Sequence, residues 1–207
     1  MIRNIIFDLA GVLLNLDIEA DTKALVYVGL PDFDGCLQRT EISHPIMLYL
    51  NGLCTKQTFL TNIRPFCRPD AKDDEIMAAM DAVLDTLPKS RLEALVQLRQ
   101  NYKVFLLSNL YDKAWDYTRK QFEEAGFTTE QCFDQTFISY EMQLAKPDPR
   151  IYHAVFEQTG ILPEETIYFD DTRVNIEAGK KLGLTTCLVP MNHLEECEEY
   201  QSLFITK

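Results

Sequence analysis

The hydrophobic positions of this chain follow two regimes. Near the amino terminus Ile5-Ile6-Phe7 forms a continuous apolar run, interrupted by Asp8 and followed by Gly11. A short uninterrupted run of this kind suits a parallel strand buried on both faces. From about residue 17 to 88 the spacing is helical. It predicts helices over 21–30, 46–50 and 55–64, with Thr55 as an N-cap, and a fourth behind Asp73-Asp74-Glu75 carried by Ile76, Met80, Val83, Leu84 and Leu87. Residues 31–35 read as a turn, and Asn51-Gly52, Pro65 and Pro69 as stops.

After Pro88 helical stretches and apolar runs alternate. Helices are predicted over 90–98, 111–125, 149–159 and 175–182, and strands over 103–107, 136–138, 166–169 and 185–189. Gly126, Gly160 and Gly183 end three of the helices, and Pro149 suits a first turn. The acidic stretch 193–200 predicts a surface helix. This alternation implies βαβ units and an α/β, Rossmann-like, doubly wound parallel sheet. The expected organisation is a core domain of residues 1–16 and 89–207 with an inserted α-helical cap at 17–88.

Ligands of such sheets lie outside the carboxyl ends of the strands. Asp8, Ser108 and Asp170-Asp171 each follow an apolar strand directly. Asp8 alone would equally suit a turn cap, but polar groups at three strand exits converge on one crevice. Carboxylates gathered there repel one another unless something neutralises them. Mg²⁺ does so while keeping positions open for a phosphate. Ser108 offers a hydroxyl and nearby amides to phosphate oxygens, Lys146 offers a point charge, and an aspartate can attack phosphorus to form an aspartyl-phosphate.

Charge and cysteine usage narrow the partners. The 207 residues carry 20 Lys and Arg against 32 Asp and Glu, a formal net charge of −12. That argues against a nucleic-acid surface or an anionic membrane surface, but not against a small anionic substrate in one locally cationic pocket. No stretch reaches transmembrane length, and Asp8 breaks the only apolar run where a signal peptide would lie. The six cysteines are scattered without a C-x-x-C pair, as expected of reduced thiols in a cytoplasmic protein.

Four motifs occur in order: Phe7-Asp8-Leu9-Ala10-Gly11-Val12, Leu107-Ser108-Asn109, Lys146-Pro147, and Phe169-Asp170-Asp171-x-x-x-Asn175. In these the chain resembles the haloacid dehalogenase-like (HAD) hydrolase superfamily, in its capped phosphatase branch. The pattern is similar to bacterial α-glucose-1-phosphate phosphatases and to the phosphatase domain of soluble epoxide hydrolase. The resemblance implies that Asp8 is nucleophile and Mg²⁺ ligand. It makes the backbone carbonyl of Ala10 and the carboxylate of Asp171 further ligands, with Asp170 beside them as another candidate. Ser108 and Asn109 would bind phosphate, Lys146 would bind phosphate and steady its charge in catalysis, and Asn175 would support the shell. The expected substrate is a small phosphorylated metabolite, such as a sugar phosphate; oligomeric state is left open.

The chain departs from that family at position 10, where the usual second aspartate of the first motif, the general acid/base, is Ala10. A methyl group moves no proton, and such catalysis is worth roughly 10²- to 10⁴-fold. Asp17 and Glu41 are the candidates for a substitute acid, and Arg64, His44 and Tyr49 for cap residues facing the pocket. Two alternatives stand beside the phosphatase: a catalytically weakened phospholigand-binding protein, favoured by Ala10, and a metal-free 2-haloacid dehalogenase, opposed by Asp170-Asp171.

Overall fold

The strand β1 (Asn4–Phe7) sits at the centre of the sheet in the computed structural model, which describes residues 1–205. Among the described residues five strands pair in the order β3-β2-β1-β4-β5, where β2 is Lys103–Ser108, β3 Gln135–Ile138, β4 Thr166–Asp170 and β5 Thr185–Leu188. Every pairing is parallel, with Phe7 opposite Leu106 on one side and Phe169 on the other. The apolar run of β1 follows from this placement. Ile5 and Phe7 enter the core on one face of the sheet, while Ile6 packs with Phe105, Leu107 and Tyr168 on the other. Each such side chain is worth about 1.5–3 kcal/mol when fully buried. The chain winds outward through β2 and β3 on one side and β4 and β5 on the other. The order therefore reverses between β1 and β4, where a ligand crevice opens in folds of this kind.

Helices α1 (Ile18–Tyr27), α2 (Phe33–Leu37), α3 (Thr40–Leu50), α4 (Lys56–Ile63) and α5 (Asp73–Asp81) follow β1, before α6 (Lys89–Leu98). Several differ from expectation. Where a turn was predicted, Asp32 caps α2 by accepting from the Gly35 amide at 2.8 Å. Helix α3 begins at Thr40 and carries Pro45 inside it, because Ile42, Ile46 and Tyr49 on one buried face outweigh the missing donor. Thr55 caps α4 as predicted. Helix α5 stops at Asp81, and residues 83–86 run extended beside residues 15–17. Asp17 N donates to Val83 O at 2.9 Å, Asn15 N to Thr86 O at 2.9 Å and Asp85 N to Asn15 O at 3.1 Å. The two segments linking the helices to the sheet are thus paired to each other, with Leu16 opposite Leu84.

The remaining helices α7 (Asp112–Glu124), α8 (Thr129–Cys132), α9 (Ser139–Met142), α10 (Pro149–Thr159) and α11 (Arg173–Lys181) alternate with the strands. The acidic tail is not a single surface helix. It forms a 3₁₀ turn, Leu194–Glu196, then α12 (Glu198–Ser202), and plants Tyr200 edge-on against Phe7 and Phe169. An amphipathic stretch with Leu194, Cys197 and Tyr200 on one face is drawn onto the sheet by those rings. Among the described residues no helix is long and apolar enough to cross a membrane.

Candidate active site

Asp8 follows β1 directly, and its two carboxylate oxygens are treated differently. Oδ1 accepts from Leu9 N at 2.7 Å and Ser108 Oγ at 2.9 Å, and lies 2.9 Å from Lys146 Nζ. Oδ2 takes no hydrogen bond among the described residues. Ser108 reaches Asp8 because parallel pairing aligns the ends of β1 and β2, with Phe7 beside Leu106. Burial pushes the Asp8 carboxyl up, Lys146 opposes this, and the nearby Asp170 and Asp171 add to it.

Asp170 closes β4 and is completely buried. Its Oδ2 lies 2.7 Å from Lys146 Nζ and accepts from Asn175 Nδ2 at 3.2 Å and from Tyr168 OH. Its Oδ1 accepts from Thr172 N at 2.8 Å and Asn175 Nδ2 at 3.1 Å. Asn175 is available there because α11 places it on the buried face. Burial works against the Lys146 ammonium, but Asp170 and Asp8 outweigh it and the net pKa is raised. Lys146 is therefore a fixed cation between two acids. Its backbone is pinned as well: Lys146 N donates to Asn109 Oδ1 and Asn109 Nδ2 donates to Lys146 O, both at 2.9 Å. The side chain of Asn109, a residue expected to bind phosphate, is thus occupied in placing Lys146.

Asp171 stands across from Asp8. One oxygen accepts from Thr172 Oγ1 at 3.1 Å, and Oδ2 faces the Gly11 backbone. Gly11 adopts φ +79°, and a Cβ there would collide with that oxygen, so the turn after β1 passes close to Asp171 only as glycine. Burial first and Asp170 second raise the Asp171 pKa. One carboxylate oxygen from each of Asp8, Asp170 and Asp171 lies within 4.8 Å of the other two. With Lys146, the cluster carries three carboxyls against one ammonium, an excess of two negative charges when all are ionised. The Ala10 carbonyl accepts no hydrogen bond among the described residues. A hard divalent cation fits this donor set, through the Asp8 carboxylate, Asp171 and the Ala10 carbonyl. Asp170, with both oxygens engaged by protein donors, suits the role of anchor to Lys146.

Above Ala10 and Asn109 lies a cavity of about 160 Å³ between the sheet ends and α1, α3 and α5. Its walls are mostly apolar, Leu16, Leu25, Phe33, Ile46 and Leu84 among them, with Asp21, Asn109 and Tyr111 as the polar residues. Burial pushes the Asp21 carboxyl up to about 6. None of the suggested cap residues lines this cavity. Tyr49 stacks between Phe59 and Tyr111, each 4.7 Å away between ring centroids, Arg64 binds Ala71 O and Asp73, and His44 faces a separate groove with Glu41. Nor do the suggested substitute acids line it: Asp17 caps α1 at Ala20 N, and Glu41 pairs with Arg39.

Two supporting groups escaped the sequence reading. Arg91 is buried and donates to Leu13 O at 3.0 Å, Asn15 Oδ1 at 2.8 Å and Asn192 O at 2.8 Å, while Glu195 meets it at 2.7 and 3.0 Å. It braces the loop leaving β1 against the carboxyl-terminal loop. Ser139 Oγ accepts from Leu110 N at 2.9 Å and donates to Asn51 O at 2.6 Å, tying the end of α3 to the loop after β2. No local motif marks either residue, since their partners lie far away in sequence.

Comparison with known proteins agrees with this geometry. Residues 2–183 match the family model described as haloacid dehalogenase-like hydrolase. The chain is 27% identical over 188 residues to a D-ribitol-5-phosphate phosphatase of Bacteroides thetaiotaomicron, covering 90% of this chain and 91% of that one. A crystal structure of a HAD family enzyme from the same organism is 33% identical, with a TM-score of 0.84 and 99% of each chain covered. The wild-type form of that enzyme has also been solved with magnesium and inorganic phosphate, at 34% identity, a TM-score of 0.79 and coverage of 93% of this chain and 96% of that one. Three motifs at strand exits with a fourth in the loop after α9, one sheet order and a family match over most of the length converge: the chain belongs to the haloacid dehalogenase-like hydrolases.

Proposed function

We propose that this hydrolase is a Mg²⁺-dependent phosphatase that cleaves a small phosphate monoester through an aspartyl-phosphate on Asp8. The observation that carries the reading is the asymmetry of Asp8. Three donors hold Oδ1 and orient the carboxylate, while Oδ2 is left free to attack. Lys146, fixed by Asp170 and by Asn109, places a positive charge where phosphoryl oxygens gather. Backbone amides after β1 and β2 are the further donors to phosphate, with Ser108, whose hydroxyl proton goes to Asp8, beside them. Mg²⁺ would be held by Asp8, Asp171 and the Ala10 carbonyl, and would supply neutralisation of the phosphoryl charge. Asp170 and Asn175 act by positioning Lys146.

Residues 17–88 serve in this reading as a cap that excludes water and selects the leaving group. The phosphatase named for D-ribitol 5-phosphate and the magnesium and phosphate complex among the relatives support both the reaction class and a small phosphorylated metabolite as substrate. The six free cysteines support a reducing, cytoplasmic setting. A second reading, a phospholigand-binding protein, draws on Ala10 alone.

The test is phosphate release from a panel of sugar and polyol phosphates and p-nitrophenyl phosphate, with Mg²⁺ and with EDTA. Metal-dependent release is expected, and Asp8→Asn should lower it by about 10⁴-fold or more. Undiminished release by that variant would sink the covalent mechanism. Binding of phosphate esters without turnover would favour the second reading.

A further inference from the structure

Position 10 deprives the proposed phosphatase of its usual proton donor, and the cavity beside that position is lined by a buried acid, Asp21. Asp21 is 5% exposed, and its Oδ2 is buried without a hydrogen-bond partner among the described residues. It lines the same cavity as Ala10 and Asn109, the residues that follow the nucleophile and the phosphate-binding serine. A polar group held unpaired in an apolar site costs several kcal/mol at worst. In folded proteins such an orphan calls for an explanation of its own. Asp21 stands in the first turn of α1, which is entered from the linker that pairs with residues 83–86. That ladder fixes the position of this turn relative to the sheet.

We propose that Asp21 is the general acid–base of the reaction, supplying from the first cap helix the carboxyl that Ala10 lacks. This rests on the phosphatase reading above. As Asp8 Oδ2 bonds to phosphorus, the bond from phosphorus to the leaving oxygen breaks and its electron pair stays on that oxygen. The proton of the Asp21 carboxyl passes to the same oxygen, releasing an alcohol and leaving Asp21 as carboxylate. Water then attacks the phosphorus of the aspartyl-phosphate. Asp21 takes the water proton, the bond between phosphorus and Oδ2 breaks with its pair returning to Asp8, and inorganic phosphate departs. The cycle ends with Asp21 protonated again.

The surroundings suit a group that must hold and release a proton near neutrality. Burial alone raises Asp21, to about 6, with no charged neighbour contributing. Helices α2 and α5 pack against α1. From α2, Cys36 is the titratable neighbour, its thiol pushed up to about 11 by burial and then by Asp21. From α5, Glu75 is engaged by Tyr27 and Arg68. On α1 itself, Glu19 and Lys23 pair in solvent. Tyr111, the other ionisable residue on the cavity wall, gives its hydroxyl to Asp81 at 2.8 Å.

The experiment measures kcat/KM for aryl and alkyl phosphates of increasing leaving-group pKa, with the unaltered protein, Asp21→Asn, Asp21→Asn with Ala10→Asp, and Asp8→Asn. A nitrophenolate needs no proton to leave, whereas an alkoxide does. Asp21→Asn is expected to lower kcat on alkyl phosphates by about 10²-fold or more while p-nitrophenyl phosphate stays within about threefold. Ala10→Asp is expected to restore much of the loss. The unaltered protein should lose alkyl phosphatase activity as pH rises above about 6, a limb that Asp21→Asn removes. Equal loss on both substrates, or a rise in KM with kcat unchanged, would overturn the assignment and leave the phosphatase standing. Activity retained in Asp8→Asn, or none in the unaltered protein, would overturn both.

Discussion

The strand-end cluster and the cavity above it solve opposite problems. Around Asp8, Lys146 and Asp170 most polar atoms are answered by a named donor or acceptor, and the exceptions, Asp8 Oδ2 and the Ala10 carbonyl, face the space a substrate and metal would take. In the cavity the packing is apolar and a single carboxyl goes unanswered. The first region is a charge network at the ends of rigid strands, so its geometry is set before any ligand arrives. The second is shaped by side-chain packing between helices and the sheet, and leaves Asp21 Oδ2 without a partner. In the phosphatase proposed above, chemistry would be preorganised in the first and selection left to fit in the second.

Three changes probe that contrast beyond the loss of the nucleophile, which stays the largest effect expected. Asp8→Asn keeps an acceptor for Ser108 and should fold, so its loss of turnover is chemical. Lys146→Met comes next. It leaves Asp170 and Asp8 facing each other without their shared cation, both buried. Breaking a buried ion pair from one side costs about 3–5 kcal/mol. A large fall in thermal stability together with lost phosphate release is expected. A variant that kept its melting temperature would show that the network is held by Tyr168, Thr172 and Asn175 without Lys146.

Arg91→Ala separates the loop's support from its chemistry. Arg91 touches neither Asp8 nor the cavity, yet it joins Leu13, Asn15, Asn192 and Glu195. Removing it strands two carbonyls and costs about 2–4 kcal/mol in denaturant unfolding. Below the unfolding transition the metal requirement should be unchanged. A shift in that requirement would tie the brace to the Ala10 turn.

The same contrast decides what was legible in the sequence. Asp8, Ser108 and Asp170 could be placed because each ends an apolar run, and parallel pairing turns shared strand ends into shared space. Asn175 was marked by the family motif it completes, and not by its own spacing. The role of Asn109 was not readable, since its side chain answers a backbone 37 residues away. Arg91 looks like any helix arginine, and its partners lie 76 to 104 residues off. The end of α5 was overrun because Val83 and Leu84 keep an apolar rhythm that serves the cavity wall and the linker ladder instead. Asp21 resembles an acid favouring a helix amino terminus. Its spacing four residues before Leu25 was the available signal, for it places the carboxyl on the buried face.

Asp21→Asn also gives the smallest and cleanest break, in stability instead of rate. The folded state holds this carboxyl near 6 against an ordinary value of 3.8, so it binds the proton more tightly than the unfolded chain does. Its contribution is fully favourable below the ordinary value and is lost as pH rises through about 6. Asparagine stays neutral throughout and mimics the protonated acid. The variant should match the unaltered protein near pH 4 and exceed it by about 1–3 kcal/mol near pH 8. Urea unfolding at a series of pH values measures the difference directly. A gap that stayed flat from pH 5 to 8 would mean that the carboxyl finds a partner or solvent in the folded protein, and the cavity would then hold no orphan acid to put to use. A gap that opens through pH 6 and closes when a phosphate ester is bound would show the ligand answering the one group that the fold leaves unpaired.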